Sequence, residues 1–120
     1  MVSNDEKNLG ADEGIVASFH EMARFSKKNK FPTEDDWRQL EAQTRECLPI
    51  FFSTIQKENY LSRQERLTCI LTRLGFTNGE TAALLQTSIQ RISNAKASAN
   101  WKLFDEREAA TLRKNLLTLE

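Results

Sequence analysis

A chain of 120 residues, 39% hydrophobic and 28% charged, is long enough to bury one core without a disulfide or metal staple. No apolar run approaches the roughly 18 residues that a membrane-spanning helix needs, and no signal peptide is expected from the opening residues. Net charge is +0, yet residues 1–60 carry 8 basic and 11 acidic side chains, residues 61–120 carry 9 and 6, and residues 61–104 carry 6 and 2. An acidic front and a basic back suit a nucleic-acid contact at the back and give no uniform attraction to polyanions.

Residues 1–11 are polar and predict a frayed start. Asp12 is placed to cap a helix over about 12–25, with Ile15, Val16, Phe19, Met22 and Ala23 as its apolar face. Ser26 to Pro32 holds Lys27, Lys28 and Lys30 and predicts a solvated, basic linker. Thr33 opens a second helix over about 33–48, its first turn carrying Asp35 and Asp36 against the helix dipole. Trp37, Leu40, Thr44, Cys47 and Leu48 recur along one face of it. Pro49 ends that helix and can begin another over about 49–57, in which Ile50, Phe51, Phe52 and Ile55 are expected core bulk. Glu58-Asn59-Tyr60 breaks the pattern, which separates an N-terminal helical extension (1–60) from the region 61–118.

From Leu61 to Leu103 the pattern is denser. Leu67, Ile70, Leu71 and Leu74 repeat at three- and four-residue spacing, one face of a helix. Ser62 with Glu65 and Thr77 with Glu80 are capping boxes, and Gly75 stands where the first of these helices should stop. A short helix over about 78–85 follows, with Ala82 and Leu85 facing inward. After Gln86 and Thr87, Ser88 is placed to cap a longer helix to Leu103. A short helix, a polar turn and a longer helix make a helix-turn-helix pattern. A last helix is expected over Asp105 to Leu117, and no strand pattern occurs anywhere.

These residues resemble the LuxR-type (GerE-like) DNA-binding domains of bacterial transcriptional regulators. Leu61, Ser62, Gln64, Glu65, Gly75, Thr77, Asn78, Glu80, Ala82, Leu85, Ser88, Ile92, Lys102 and Leu103 fit that pattern without a gap. Arg73-Leu74-Gly75-Phe76, Ser93-Asn94-Ala95-Lys96 and Lys102-Leu103-Phe104 are similar to C-terminal regions of bacterial multidomain regulators, in which tetratricopeptide repeats and a membrane segment often precede such a domain. The sequence departs from the family at Thr81, Arg91 and Ala95, where the pattern has Ile, Thr and His. The resemblance implies an all-α, tetrahelical helix-turn-helix of LuxR type (winged-helix-like superfamily) over 61–118, carrying an N-terminal helical extension. It also implies double-stranded DNA as the partner and a role as the output domain of a regulator. The chain is then expected to be a piece of a larger protein, placed in the cytoplasm or forming the cytoplasmic part of a membrane-linked one.

On a helical wheel Ile92, Ala99 and Leu103 point inward, while Gln90, Asn94, Ala97 and Trp101 point outward. Asn and Gln can bond adenine through two atoms, and an alanine methyl can meet the methyl of thymine. By the resemblance, Ser93, Asn94 and Ala97 face base edges, and Thr87, Ser88, Arg91 and Lys102 lie near phosphates. The outward face of this helix is short of basic residues, which keeps open a second possibility: a protein-interaction or dimerisation module that retains the fold. Trp101 is expected to pack under the last helix. A homodimer is expected through the last helix or through the N-terminal helices, where Phe19, Met22 and Phe25 make a wide apolar face. Cys47 and Cys69 read as buried thiols, and His20 as an ordinary boundary residue. No metal-ligand spacing, glycine-rich phosphate loop or nucleophile elbow occurs, so neither an enzyme nor a cofactor is expected.

Overall fold

Capping side chains set where the helices begin. The computed structural model describes residues 14–24, 31–57 and 60–119. In it, Thr33, Ser62 and Thr77 each accept a hydrogen bond from the backbone N–H three residues on, at 3.1 Å. Asp36, Glu65 and Glu80 return the bond by accepting from the capping N–H at 2.9 Å. Each box closes two groups that a helix start leaves open and stabilises by about 1 kcal/mol. The elements are α1 (Gly14–Arg24), α2 (Glu34–Cys47), α3 (Pro49–Gln56), α4 (Arg63–Arg73), α5 (Asn78–Leu85), α6 (Ile89–Phe104), a 3₁₀ turn (Ala109–Thr111) and α7 (Leu112–Leu117). No strand occurs among the described residues, and the architecture is all-α.

Left-handed residues set where α4, α5 and α6 stop. Gly75, at φ +95°, donates its N–H to Thr72 at 3.0 Å, while Phe76 N–H reaches Leu71 at 3.0 Å. This pair of bonds is a Schellman closure. Gln86, at φ 55°, closes α5 in the same way, with Gln86 N–H to Ala83 at 3.2 Å and Thr87 N–H to Ala82 at 2.9 Å. Three residues, Gln86, Thr87 and Ser88, therefore reverse the chain between α5 and α6.

α4 lies at the centre. Its spacing predicts one apolar face, but Leu67 to Thr72 are buried consecutively, because α3, α5, α6 and α7 all pack against it. A helix stretch that meets neighbours all round buries its polar positions as well. The hydroxyls of Thr68 and Thr72 there, and of Thr81 on α5, are buried without a hydrogen-bond partner. Thr81→Val removes such a hydroxyl and keeps the shape. It is expected to stabilise by about 1 kcal/mol, read as a higher urea midpoint at unchanged slope.

The front of the chain shares this core. α1 packs on α2 and on α5, with Phe19 edge-on to Trp37 at 4.8 Å and His20 stacked on Phe76 at 4.2 Å. Ion pairs Arg63–Glu34 (2.8 Å) and Arg66–Glu41 (2.9 Å) tie α4 to α2. One cluster of buried side chains runs from Val16 to Leu116.

Several expectations are corrected. Ile50 is 59% exposed, since Phe51, Phe52 and Ile55 take the inward side of α3. On α5 the deeply buried leucine is Leu84, with Leu85 half-buried at the edge of the core. The last helix is not continuous from Asp105 to Leu117. Asp105 turns left-handed (φ 62°), and Asn100, fully buried in α6, donates to the Glu108 carbonyl at 2.7 Å and to Thr111 Oγ1 at 2.9 Å. Asn115 donates to Asn100 Oδ1 at 2.9 Å from the far side. These bonds hold Glu106 to Glu108 out of helix before the 3₁₀ turn, with Glu108 extended. The Asp12 cap, Phe25, the lysines at 27, 28 and 30, and the break at Glu58-Asn59 lie outside the described residues.

Candidate nucleic-acid interface

α6 has two faces. Ile92, Ala95 and Ala99 are buried on one, against α4 and α5. Gln90, Asn94, Ala97 and Trp101 share a stripe on the other, as their three- and four-residue spacing requires. Gln90 and Asn94 are exposed, Ala97 and the flanking Ser93 half-buried. Gln90 Nε2 donates to Asn94 Oδ1 at 3.0 Å, so the two amides form one unit. Ile89, 57% exposed, opens the row, and Trp101, 43% exposed, ends it. Trp101 is not buried beneath the last helix: the Arg107 guanidinium covers its ring at 4.0 Å, because the extended segment after Asp105 folds back over it.

Thr87 and Ser88 belong to the turn beneath the row. Ser88 caps α6, its hydroxyl accepting from Arg91 N–H at 3.1 Å. Arg91 is exposed beside the row, where it lines an open groove with Asn94 and Ser98 of α6, Gln64 and Glu65 of α4 and the capping Ser62. Lys102 is half-buried and engaged within the protomer. Its ammonium lies 2.9 Å from Glu65 and 3.5 Å from the Tyr60 carbonyl.

Glu65 is the anchor of this arrangement. Its carboxylate accepts from Ser62 N–H, from the Ser98 hydroxyl and from Lys102, so it joins the start of α4 to the far half of α6. Burial pushes the Glu65 carboxyl up. The bonds from Ser98, Lys102 and Ser62, with the Lys102 charge, outweigh burial and hold it below the ordinary carboxylate value. A carboxylate lowered on folding adds stability that is full above its unfolded pKa, about 4.3, and is lost as pH falls through the folded value. Acid titration of thermal stability should therefore fall more steeply below that point in the native protein than in Glu65→Gln. Equal slopes would remove Glu65 from this role.

The chain matches no protein-family model, no curated protein and no solved structure.

The remaining cation of α6, Lys96, faces inward. It is half-buried, burial lowering its pKa and the neighbouring Arg113 lowering it further. Burial also pushes the Cys69 thiol up to about 12 and raises that of Cys47, and both thiols are free. Among the described residues no cluster of three or more His, Cys, Asp or Glu could hold a metal ion, and no helix is long and apolar enough to cross a membrane. Apolar positions on the elements expected to self-associate point into the protomer: Leu112 and Leu116 of α7 and Phe19 of α1 are fully buried, and Met22 of α1 is buried.

Two features of this surface carry no signal in the sequence pattern. Arg107 lies beyond the end of α6, and its place over Trp101 depends on the extended turn. The tie from Glu65 to Ser98 and Lys102 spans 33 and 37 residues, and the capping box with Ser62 already accounts for Glu65 locally.

Proposed function

We propose that this chain binds double-stranded DNA as the output domain of a bacterial transcriptional regulator, with α4 to α7 acting as a LuxR-type helix-turn-helix. The observation that carries the proposal is the outward row of α6. Its side chains are exposed hydrogen-bonding amides and small residues, on a helix that begins directly after a three-residue turn. Such a helix can enter the major groove by its N-terminal half. The resemblance over Leu61 to Leu103 points the same way. Arg91 at one end and Arg107 at the other supply cations for phosphates on either side, while Thr87 and Ser88 bring the turn near the backbone. Lys102 acts through Glu65, holding the pose of α6.

Anisotropy of a labelled random duplex between about 50 and 200 mM salt tests this, because each phosphate contact releases counterions. Affinity should fall steeply with salt, and Arg91→Ala should lower the slope of log affinity against log salt by about 1. Absence of binding at the lowest salt would reject the proposal.

A second reading has its own observation. Ile89 and Trp101 expose apolar surface at both ends of the row, which also suits a protein partner. Capture of a partner that survives nuclease treatment, by a protein that ignores DNA, would favour it. Pairing of two copies, either through α7, where Leu117 is 39% exposed, or through the N-terminal helices, would add the phosphate contacts of two half-sites. A monomeric mass by light scattering at high concentration would count against such pairing.

A further inference from the structure

The outward row carries more than a general affinity for duplex. We infer that it selects an adenine–thymine pair, with Asn94 as the residue that reads adenine and Gln90 as its positioning residue; the inference rests on the DNA-binding reading above. In the major groove adenine shows an acceptor, N7, beside a donor, the N6 amino group, whereas guanine shows two acceptors, N7 and O6. A carboxamide edge offers one donor and one acceptor, so it complements adenine and sets its oxygen against guanine O6.

A free asparagine at the surface can turn its amide either way. Here Gln90 Nε2 donates to Asn94 Oδ1 at 3.0 Å, which favours one orientation of the amide before any base arrives. The second lone pair of Oδ1 and both N–H groups of Nδ2 then remain for the base. Both side chains are exposed, so neither has to be drawn out of a core to act. One turn along the same stripe, Ala97 presents only a methyl group, which can meet the methyl of thymine. Arg91, whose fork would suit guanine, sits off the row in the groove beside Glu65 and Ser98.

The test is selection of duplexes from a randomised pool by the full chain at about 50 mM salt, followed by anisotropy on the enriched duplex. An adenine should be enriched at a fixed position. Replacing it with 7-deazaadenine, which lacks the N7 acceptor, should weaken binding about 10-fold or more. Asn94→Ala should lose a similar factor on the native duplex and lose nothing further with 7-deazaadenine. Gln90→Ala should narrow the ratio of adenine to guanine duplex affinities at unchanged thermal stability, a pattern that a purely structural role would not produce. Uracil in place of thymine should weaken the native protein and not Ala97→Gly.

Enrichment of guanine at the contacted position, or an adenine preference that survives Asn94→Ala, would overturn the inference and leave salt-sensitive DNA binding standing. Salt-sensitive binding without any enrichment would overturn it in the same way. Failure to bind any duplex at that salt would overturn both.

Discussion

Phe19→Ala is expected to cost about 3–5 kcal/mol, the range for emptying a fully buried aromatic site. Phe19 has no exposed surface and meets Trp37 edge-on at 4.8 Å, so the substitution removes an aromatic pair as well as apolar contacts. The larger point concerns what α1 supports. α1 packs on α5, and α5 packs on α6, so loss of the Phe19 site should reach the outward row through the turn at Gln86–Ser88. Urea unfolding gives the magnitude, and hydrogen exchange gives the reach: amides of α5 and α6 should lose protection along with those of α1. A cost under about 1 kcal/mol, or exchange confined to α1, would make α1 an attachment with no share in holding α6.

Asn100→Asp is expected to cost about 3–5 kcal/mol at neutral pH, as an uncompensated buried charge does. The side chain is fully buried, and its amide nitrogen serves both the Glu108 carbonyl and Thr111. Aspartate has nearly the same shape but no donors, and it sets a charged oxygen against that carbonyl. Its folded pKa should therefore rise above the unfolded value. The penalty is full above the raised pKa, shrinks as pH falls through it, and is gone below the unfolded value of about 3.9. Thermal melts of Asn100→Asp and the native protein should accordingly converge on acidification. A pH-independent gap would assign the loss to packing alone.

How much of this could be read from the sequence depends on how local each cause is. Thr33, Ser62 and Thr77 declare helix starts because cap and partner lie three residues apart, and Gly75 declares a stop through its own backbone freedom. The outward placement of Gln90 and Asn94 follows from helical periodicity alone. The segment after Asp105 was not legible. Ala109, Leu112 and Leu116 keep a helical spacing, but Asn100 and Asn115 draw the backbone into an extended turn through bonds across 8 to 15 residues. A wheel likewise shows one apolar face on α4, whereas four neighbouring helices pack on it and bury Leu67 to Thr72 without a break. By the resemblance Lys102 reads as a phosphate contact, with Asp105 and Glu106 as its acidic neighbours in sequence; it is Glu65, 37 residues earlier, that holds it.

The two tryptophans stand in opposite surroundings: Trp37 is 6% exposed against Phe19, and Trp101 is 43% exposed beneath Arg107. The molecule thus carries two built-in optical probes. The blue-shifted emission of the buried indole follows the junction of α1 and α2, and the red-shifted emission of the other follows the end of the outward row. Folding of the core and changes at the end of the row can be watched separately in one unlabelled sample.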